Sequence, residues 1–288
     1  MPTILDQIVR DKREEIKAAR AQLSESALEQ SLASVKVEPV TTHYPSRFHR
    51  SLKETNFIRI IAEVKRQSPS AGAIQANADA ITFARTYAEC GAACISVLTD
   101  TPHFGGSLDD LRKVRAEVNT PLLRKDFILE RYQVLQAKAA GADAVLLIAE
   151  ILDDATLAHL ILEIQSWGMD ALVECYEAAN VPRVLAAGAT LIGINNRNLH
   201  TFEVNLSHTL ALAQQIPASC TVISESGIKT RADVETLAAA GIKAILVGET
   251  LMKATDVKTA FEQLGTVPFH FLPSPRVGEG LGVRGFCR

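Results

Sequence analysis

Polar side chains break the apolar runs of this sequence at or near their C-terminal ends. Glu63 and Lys65 close IRIIAEVK (58 to 65), Lys125 lies in PLLRKDF (121 to 127), and Glu174 lies in DALVECY (170 to 176). Asn195 stands near the end of ATLIGINN (189 to 196), and Glu225 with Ser226 ends CTVISES (220 to 226). One such residue is an ordinary loop contact. A set of ammonium, carboxylate and amide groups at partly buried positions is different, because a buried charge costs several kcal/mol unless it is paired or used. Ammonium beside carboxylate is the equipment of general acid–base chemistry. A second feature accompanies it. Gly227 follows the run that carries Glu225, and Gly248 lies in KAILVGE (243 to 249). Two turn glycines would explain both. Together with a short helix starting near Glu249, they also offer backbone N–H groups to an anion such as phosphate.

These residues need a scaffold that brings run ends together. AACISVLTD (92 to 100) and ADAVLLIAE (142 to 150) complete a set of eight apolar, β-branched runs. Their nearly continuous apolar character fits parallel strands buried on both faces. Between them, helical periodicity runs through Ala80–Cys90, Leu108–Val118, Tyr132–Ala140, Ala155–Trp167, Ala179–Ala187, Leu206–Gln215 and Ala232–Ala240. Gly91, Gly141, Gly188 and Gly241 follow four of these segments, where a helix stops in the left-handed C′ conformation. Eight strand–helix units close into a (β/α)8 TIM barrel, an α/β fold of about 250 residues. A doubly wound open sheet would carry a glycine-rich turn after its first strand, and SPSAG stands there in place of GxGxxG. The barrel is the expected fold, with active-site groups at the C-terminal ends of its strands.

Residues 1–57 precede the barrel as an N-terminal helical extension, 58–265 form the catalytic barrel, and 266–288 read as a disordered tail rich in Pro, Gly and Arg. Ile4, Ile8 and Ile16 put an apolar stripe on the first segment, so one amphipathic helix is expected there. It either plugs the bottom or flank of the barrel or helps to close the active-site face.

The chain has 288 residues, 47% of them hydrophobic, and a formal net charge of −3. That composition excludes wholesale disorder and argues against binding nucleic acid by bulk electrostatics. Cys90, Cys94, Cys175, Cys220 and Cys287 form no CxxC pair, which fits a reducing, cytoplasmic setting. No metal-ligand spacing, signal core or membrane-length apolar run is present.

Taken in order, IAEVKRQSPSAG, ISVLTD with FGGSLDDL, LLRKDFI, ALVECY, IGINNRNL, ISESGI and VGETLM resemble the indole-3-glycerol-phosphate synthase family of tryptophan biosynthesis. The resemblance runs from the N-terminal helix to about Phe261. It implies ring closure of 1-(2-carboxyphenylamino)-1-deoxyribulose 5-phosphate to indole-3-glycerol phosphate, with loss of CO2 and water. Within it Lys125 matches the general acid and Glu174 the second acid–base residue. Lys65 matches a lysine that positions substrate, and Glu63 and Asn195 match residues that orient these groups. Ser68, Arg197, Glu225 and Ser226 match substrate-binding positions, with Arg197 near the anthranilate carboxylate. Gly227, Gly248 and the backbone amide of Glu249 match the phosphate end. The SPSAG loop resembles a mobile lid, with Ala71 where the family often has lysine.

No metal or organic cofactor is implied. The expected partner is the phosphorylated small molecule, not nucleic acid or membrane, and the expected state is a monomer or weak homodimer. A related phosphate-binding barrel, phosphoribosylanthranilate isomerase, would need a cysteine at the end of the first strand, where Glu63 and Lys65 stand. A barrel kept only as a binding scaffold would be expected to lack one of Lys125, Glu174 or Lys65. The crowding of charges leaves two outcomes for Lys125: a lowered pKa if Lys65 dominates its surroundings, or a raised one if Glu63 and Glu174 do.

Overall fold

A computed structural model of the chain describes residues 3–33, 46–53, 56–198, 201–265 and 267–268. Its centre is a closed barrel of parallel strands. In chain order these are β1 (Arg59–Val64), β2 (Cys94–Leu98), β3 (Leu122–Lys125), β4 (Ala144–Ile148), β5 (Asp170–Cys175), β6 (Leu191–Asn195), β7 (Thr221–Glu225) and β8 (Ala244–Val247). Each strand pairs with the next, and β8 returns to β1 with Arg59 opposite Ala244. The expected (β/α)8 barrel is therefore what forms.

The runs are nearly continuously apolar because they are buried twice. Alternate residues such as Ile61, Leu123, Leu172, Leu191 and Leu246 fill the barrel interior. Their neighbours, among them Ile60, Val97, Val145, Ile192 and Ile245, pack under the surrounding helices. That period of two follows from strand geometry. The helices α4 (Ala80–Glu89), α5 (Leu108–Glu117), α6 (Arg131–Ala139), α7 (Asp154–Ser166), α8 (Val181–Ala186), α9 (Ser207–Ala213) and α10 (Arg231–Ala239) supply the outer ring, completed by α11 (Glu249–Met252) and α12 (Val257–Leu264). Gly91, Gly141, Gly188 and Gly241 do end helices, at φ between 81° and 87°.

The N-terminal extension is more than the single helix read from the stripe. α1 (Ile4–Gln22) is opened by a Thr3–Asp6 capping box. α2 (Glu25–Leu32) and α3 (Arg47–Lys53) follow it. Leu28 and Leu32 of α2 pack with Tyr132 and Leu135 of α6, on the flank of the barrel. α3 lies across the N-terminal ends of the strands. There the Asp170 carboxylate accepts from the His49 amide at 2.9 Å, and His49 Nε2 lies 2.8 Å from Thr221 Oγ1. α1 lies at the opposite end, where Ile4, Leu5 and Ile8 meet the cavity described below. The extension thus covers top, flank and bottom in turn. Short α2 and α3 gave no sustained periodicity to read. Residues 269–288 of the tail, and Cys287 with them, lie outside the described residues.

Candidate active site

Proton-carrying groups gather at the C-terminal mouth of the barrel. Glu63 ends β1, Lys125 ends β3, Glu174 lies near the end of β5, and Glu225 ends β7. Side chains of alternate strands share a layer inside such a barrel, so these four meet although up to 162 positions separate them in the chain (225 less 63). Lys125 Nζ donates to Glu174 Oε2 at 2.7 Å and lies 3.2 Å from Glu225 Oε2. Asn195 Nδ2, from the intervening β6, donates to the other Glu174 oxygen at 3.1 Å. Lys65 pairs instead with Glu63 Oε1 at 2.9 Å, and Ser96 Oγ donates to Glu63 Oε2 at 3.3 Å.

Burial and charge set the protonation of this group. Burial alone would lower the pKa of Lys125, but the carboxylates of Glu174, Glu225 and Glu63 overcome it and hold the ammonium well above the ordinary lysine value. Of the two outcomes left open by the sequence, the raised one applies. Burial pushes Glu174 up as well. The Lys125 charge and hydrogen bonds from Lys125, Asn195 and Glu225 reverse that, so Glu174 stays below the usual glutamate value. Glu225 goes the other way. Burial, then the charges of Glu174 and Glu63, push it up to about 8 against the pull of Lys125. Two carboxylates beside one ammonium cannot both ionise freely, and the one with fewer donors keeps the proton.

The far side of the mouth is built from turns. Ser226 and Gly227 take left-handed backbone at φ 68° and 79°, which costs a non-glycine residue about 1–3 kcal/mol. Gly227 also has no room for a side chain, since a Cβ would stand 2.2 Å from Val204 Cγ1. Arg197 donates its backbone N–H to Asn195 Oδ1 at 3.0 Å, and its guanidinium lies 3.6 Å from Glu249 Oε2. Over the opening, Gln67–Ser68 and Gly72–Ala73 form a two-stranded hairpin in which Ser68 Oγ accepts from the Ala71 amide at 3.1 Å.

Most of these groups line one cavity of about 1130 Å³ counted to its open mouth. Glu63, Lys65, Ser68, Lys125, Glu174, Asn195, Arg197, Glu225, Ser226, Gly227, Gly248 and Glu249 all contribute to it. The apolar wall was not read from sequence: Leu5, Phe104, Phe127 and Ile148 lie there, beside Ile4 and Ile8 of α1. Only the stripe on α1 could have signalled it. Lys12 was missed as well. This α1 residue is buried against Asp126 at 2.8 Å and Asp100 at 3.0 Å, both at strand ends beside the site. Among the described residues no group of three or more His, Cys, Asp or Glu side chains could hold a metal ion, and no helix is long and apolar enough to cross a membrane.

A sequence profile described as "Indole-3-glycerol phosphate synthase" matches residues 5–264. The chain belongs to this family. A member from Rhodopirellula baltica is 52% identical over 262 residues, covering 91% of this chain and 98% of its own length. One from Albidiferax ferrireducens is 44% identical over 264 residues, covering 92% and 98%. Among solved structures, a thiamine phosphate pyrophosphorylase from Pyrococcus furiosus aligns with a TM-score of 0.54 at 17% identity, over 72% of this chain and 93% of its own. That likeness concerns the fold alone. Membership of the synthase family makes this a carboxy-lyase of tryptophan biosynthesis.

Proposed function

We propose that the cavity closes the indole ring of 1-(2-carboxyphenylamino)-1-deoxyribulose 5-phosphate, with Lys125 and Glu174 as the principal proton carriers. The observation that carries this reading is the Lys125 ammonium, held 2.7 Å from Glu174 and 3.2 Å from Glu225 at the inner end of an apolar-walled cavity. An aromatic carbon must attack a ketone, and negative charge grows on the carbonyl oxygen as the bond forms. A fixed ammonium stabilises that charge, and the nascent alkoxide is basic enough to take its proton. Loss of CO2 then restores the aromatic ring. In the final dehydration a hydroxyl leaves as water and a carbon-bound proton is removed, for which the ionised Glu174 is placed.

Lys65, fixed by Glu63, positions the substrate. Asn195 holds Glu174 in register through the 3.1 Å hydrogen bond. Ser68 and Ser226 line the substrate's path, and Glu225, pushed up to about 8, can return a proton to Lys125 at neutral pH. Arg197 serves the anthranilate carboxylate. Gly227, Gly248 and the Glu249 amide receive the phosphate. The SPSAG hairpin acts as the lid.

The same reading keeps the division into extension (1–57), barrel (58–265) and tail (266–288), except that Val267 and Pro268 pack with the barrel, Val267 being buried and accepting from the Ile58 amide. It also keeps a cytoplasmic monomer or weak homodimer that needs no cofactor and engages neither nucleic acid nor membrane. The test is an indole-fluorescence assay with the named substrate. Wild type should turn it over, and Lys125→Ala and Glu174→Gln should each lose roughly 10²–10⁴-fold in kcat, the range of a general acid or base. A folded wild-type protein that leaves the substrate unchanged would overturn the proposal.

A further inference from the structure

Gly193 stands in the middle of β6, where glycine is costly: it gives the strand no side chain to pack and orders a flexible backbone. Its conformation does not call for glycine, since it is absent from the residues with positive φ. The demand is for space. A Cβ at Gly193 would lie 2.1 Å from Glu225 Oε1 and 3.2 Å from its Cδ, with Leu172 Cδ1 at 3.4 Å. The two nearest atoms both belong to the Glu225 carboxyl, so that group fills the gap left by the missing side chain. Gly193 also pairs with Glu174 across the β5–β6 ladder, and Glu225 reaches over it toward Lys125 Nζ at 3.2 Å.

The Glu225 oxygen over Gly193 has a further property: it is buried without a hydrogen-bond partner among the described residues. Nothing polar therefore holds Oε1 from its own side. Lys125 holds the other oxygen, Oε2, while Oε1 rests in the space over Gly193 with no polar group there to resist displacement. From this geometry we infer that Gly193 is a positioning residue, whose absent side chain is the seat that holds the Glu225 carboxyl against Lys125 and Glu174. The inference rests on the proposed roles of those groups.

The test is Gly193→Ala, with Glu225→Ala and the double variant beside it. A methyl group 2.1 Å from Oε1 must drive the carboxyl away by about 1 Å to reach ordinary contact, a misplacement that costs on the order of 10²-fold in catalysis. Because the displaced atom ends a flexible side chain, the fold absorbs the change. Gly193→Ala is expected to melt close to wild type and lose roughly 10–10²-fold in kcat, with a smaller change in KM. The limb of its pH–rate profile near 8, the value of Glu225, should move. In the Glu225→Ala background, which has no carboxyl to displace, the same substitution should cost less than about twofold, as expected for coupled neighbours.

Equal losses in both backgrounds would overturn the inference, because the methyl would then act elsewhere. Wild-type kcat and an unmoved limb in Gly193→Ala, with Glu225→Ala impaired, would overturn the inference alone. If Glu225→Ala itself kept wild-type kcat, the proposed role of Glu225 would fall and the inference with it.

Discussion

Replacing Lys12 by methionine should loosen the N-terminal helix from the active site. Lys12 is 1% exposed, and its ammonium meets Asp126 at 2.8 Å, Asp100 at 3.0 Å and the half-exposed Glu15 at 2.8 Å. Methionine keeps the length of the side chain and removes the charge. Breaking a buried ion pair from one side costs about 3–5 kcal/mol, because the other charge stays behind unpaired. The loss here belongs at the lower end. Asp126 keeps Arg124 at 2.9 Å and Thr99 Oγ1 at 2.6 Å, and Asp100 still accepts from the His103 amide at 2.9 Å. A loss of about 3 kcal/mol in a barrel of this size lowers Tm by roughly 6–12 °C.

The kinetic effect has a separate origin. α1 brings Ile4, Leu5 and Ile8 to the cavity wall, so a displaced α1 should raise KM more than it lowers kcat at 25 °C, well below the melt. Acid titration adds a third readout. Burial raises the Asp126 carboxyl, but Arg124 and Lys12 outweigh it and hold the group well below the usual carboxylate range. A pKa lowered by folding gives stability that is present above the unfolded value near 3.9 and lost as pH falls below it. Wild type should lose stability steeply below about pH 4, and Lys12→Met less steeply. Circular-dichroism melts across pH and steady-state kinetics check all three. A variant that melts within about 2 °C of wild type, with unchanged KM, would refute the latch.

Glu225→Gln should raise Tm at pH 9 and far less at pH 5 while kcat falls. The folded chain binds the Glu225 proton up to about 8 and the unfolded chain only to about 4.3, so wild-type stability drops as pH rises through that window; a Tm difference that ignores pH would contradict this. Removing residues 269–288 should leave calorimetric Tm and turnover intact. Cutting before Val267 should lower Tm, because Val267 is 1% exposed, its carbonyl accepts from the Ile58 amide at 3.0 Å, and Pro268 bridges to Phe57.

The sequence by itself determined the barrel and the membership of its mouth. Runs buried on both faces are nearly all apolar, so a charged residue near a run's end marks a place where chemistry can begin. Period-two geometry then turns Glu63, Lys125, Glu174 and Glu225 to the same side as the interior residues Ile61, Leu123, Leu172 and Ile223, two positions before each. Helix stops at Gly91 and its counterparts were equally local, since left-handed backbone is a demand on one residue.

Tertiary structure decided who meets whom. Lys125 could have faced Lys65 or the carboxylates, and ring closure puts odd-numbered strands in one layer, so it meets Glu174 and Glu225 while Lys65 turns to Glu63. No local pattern carries that choice, because the layer joins residues from four separate strands. The seat at Gly193 and the latch at Lys12 were hidden for the same reason. Each has meaning only through a carboxylate far away in sequence: Glu225 for the first, Asp100 and Asp126 for the second. Those carboxylates reach Gly193 and Lys12 only when the barrel has closed and α1 has settled on its rim.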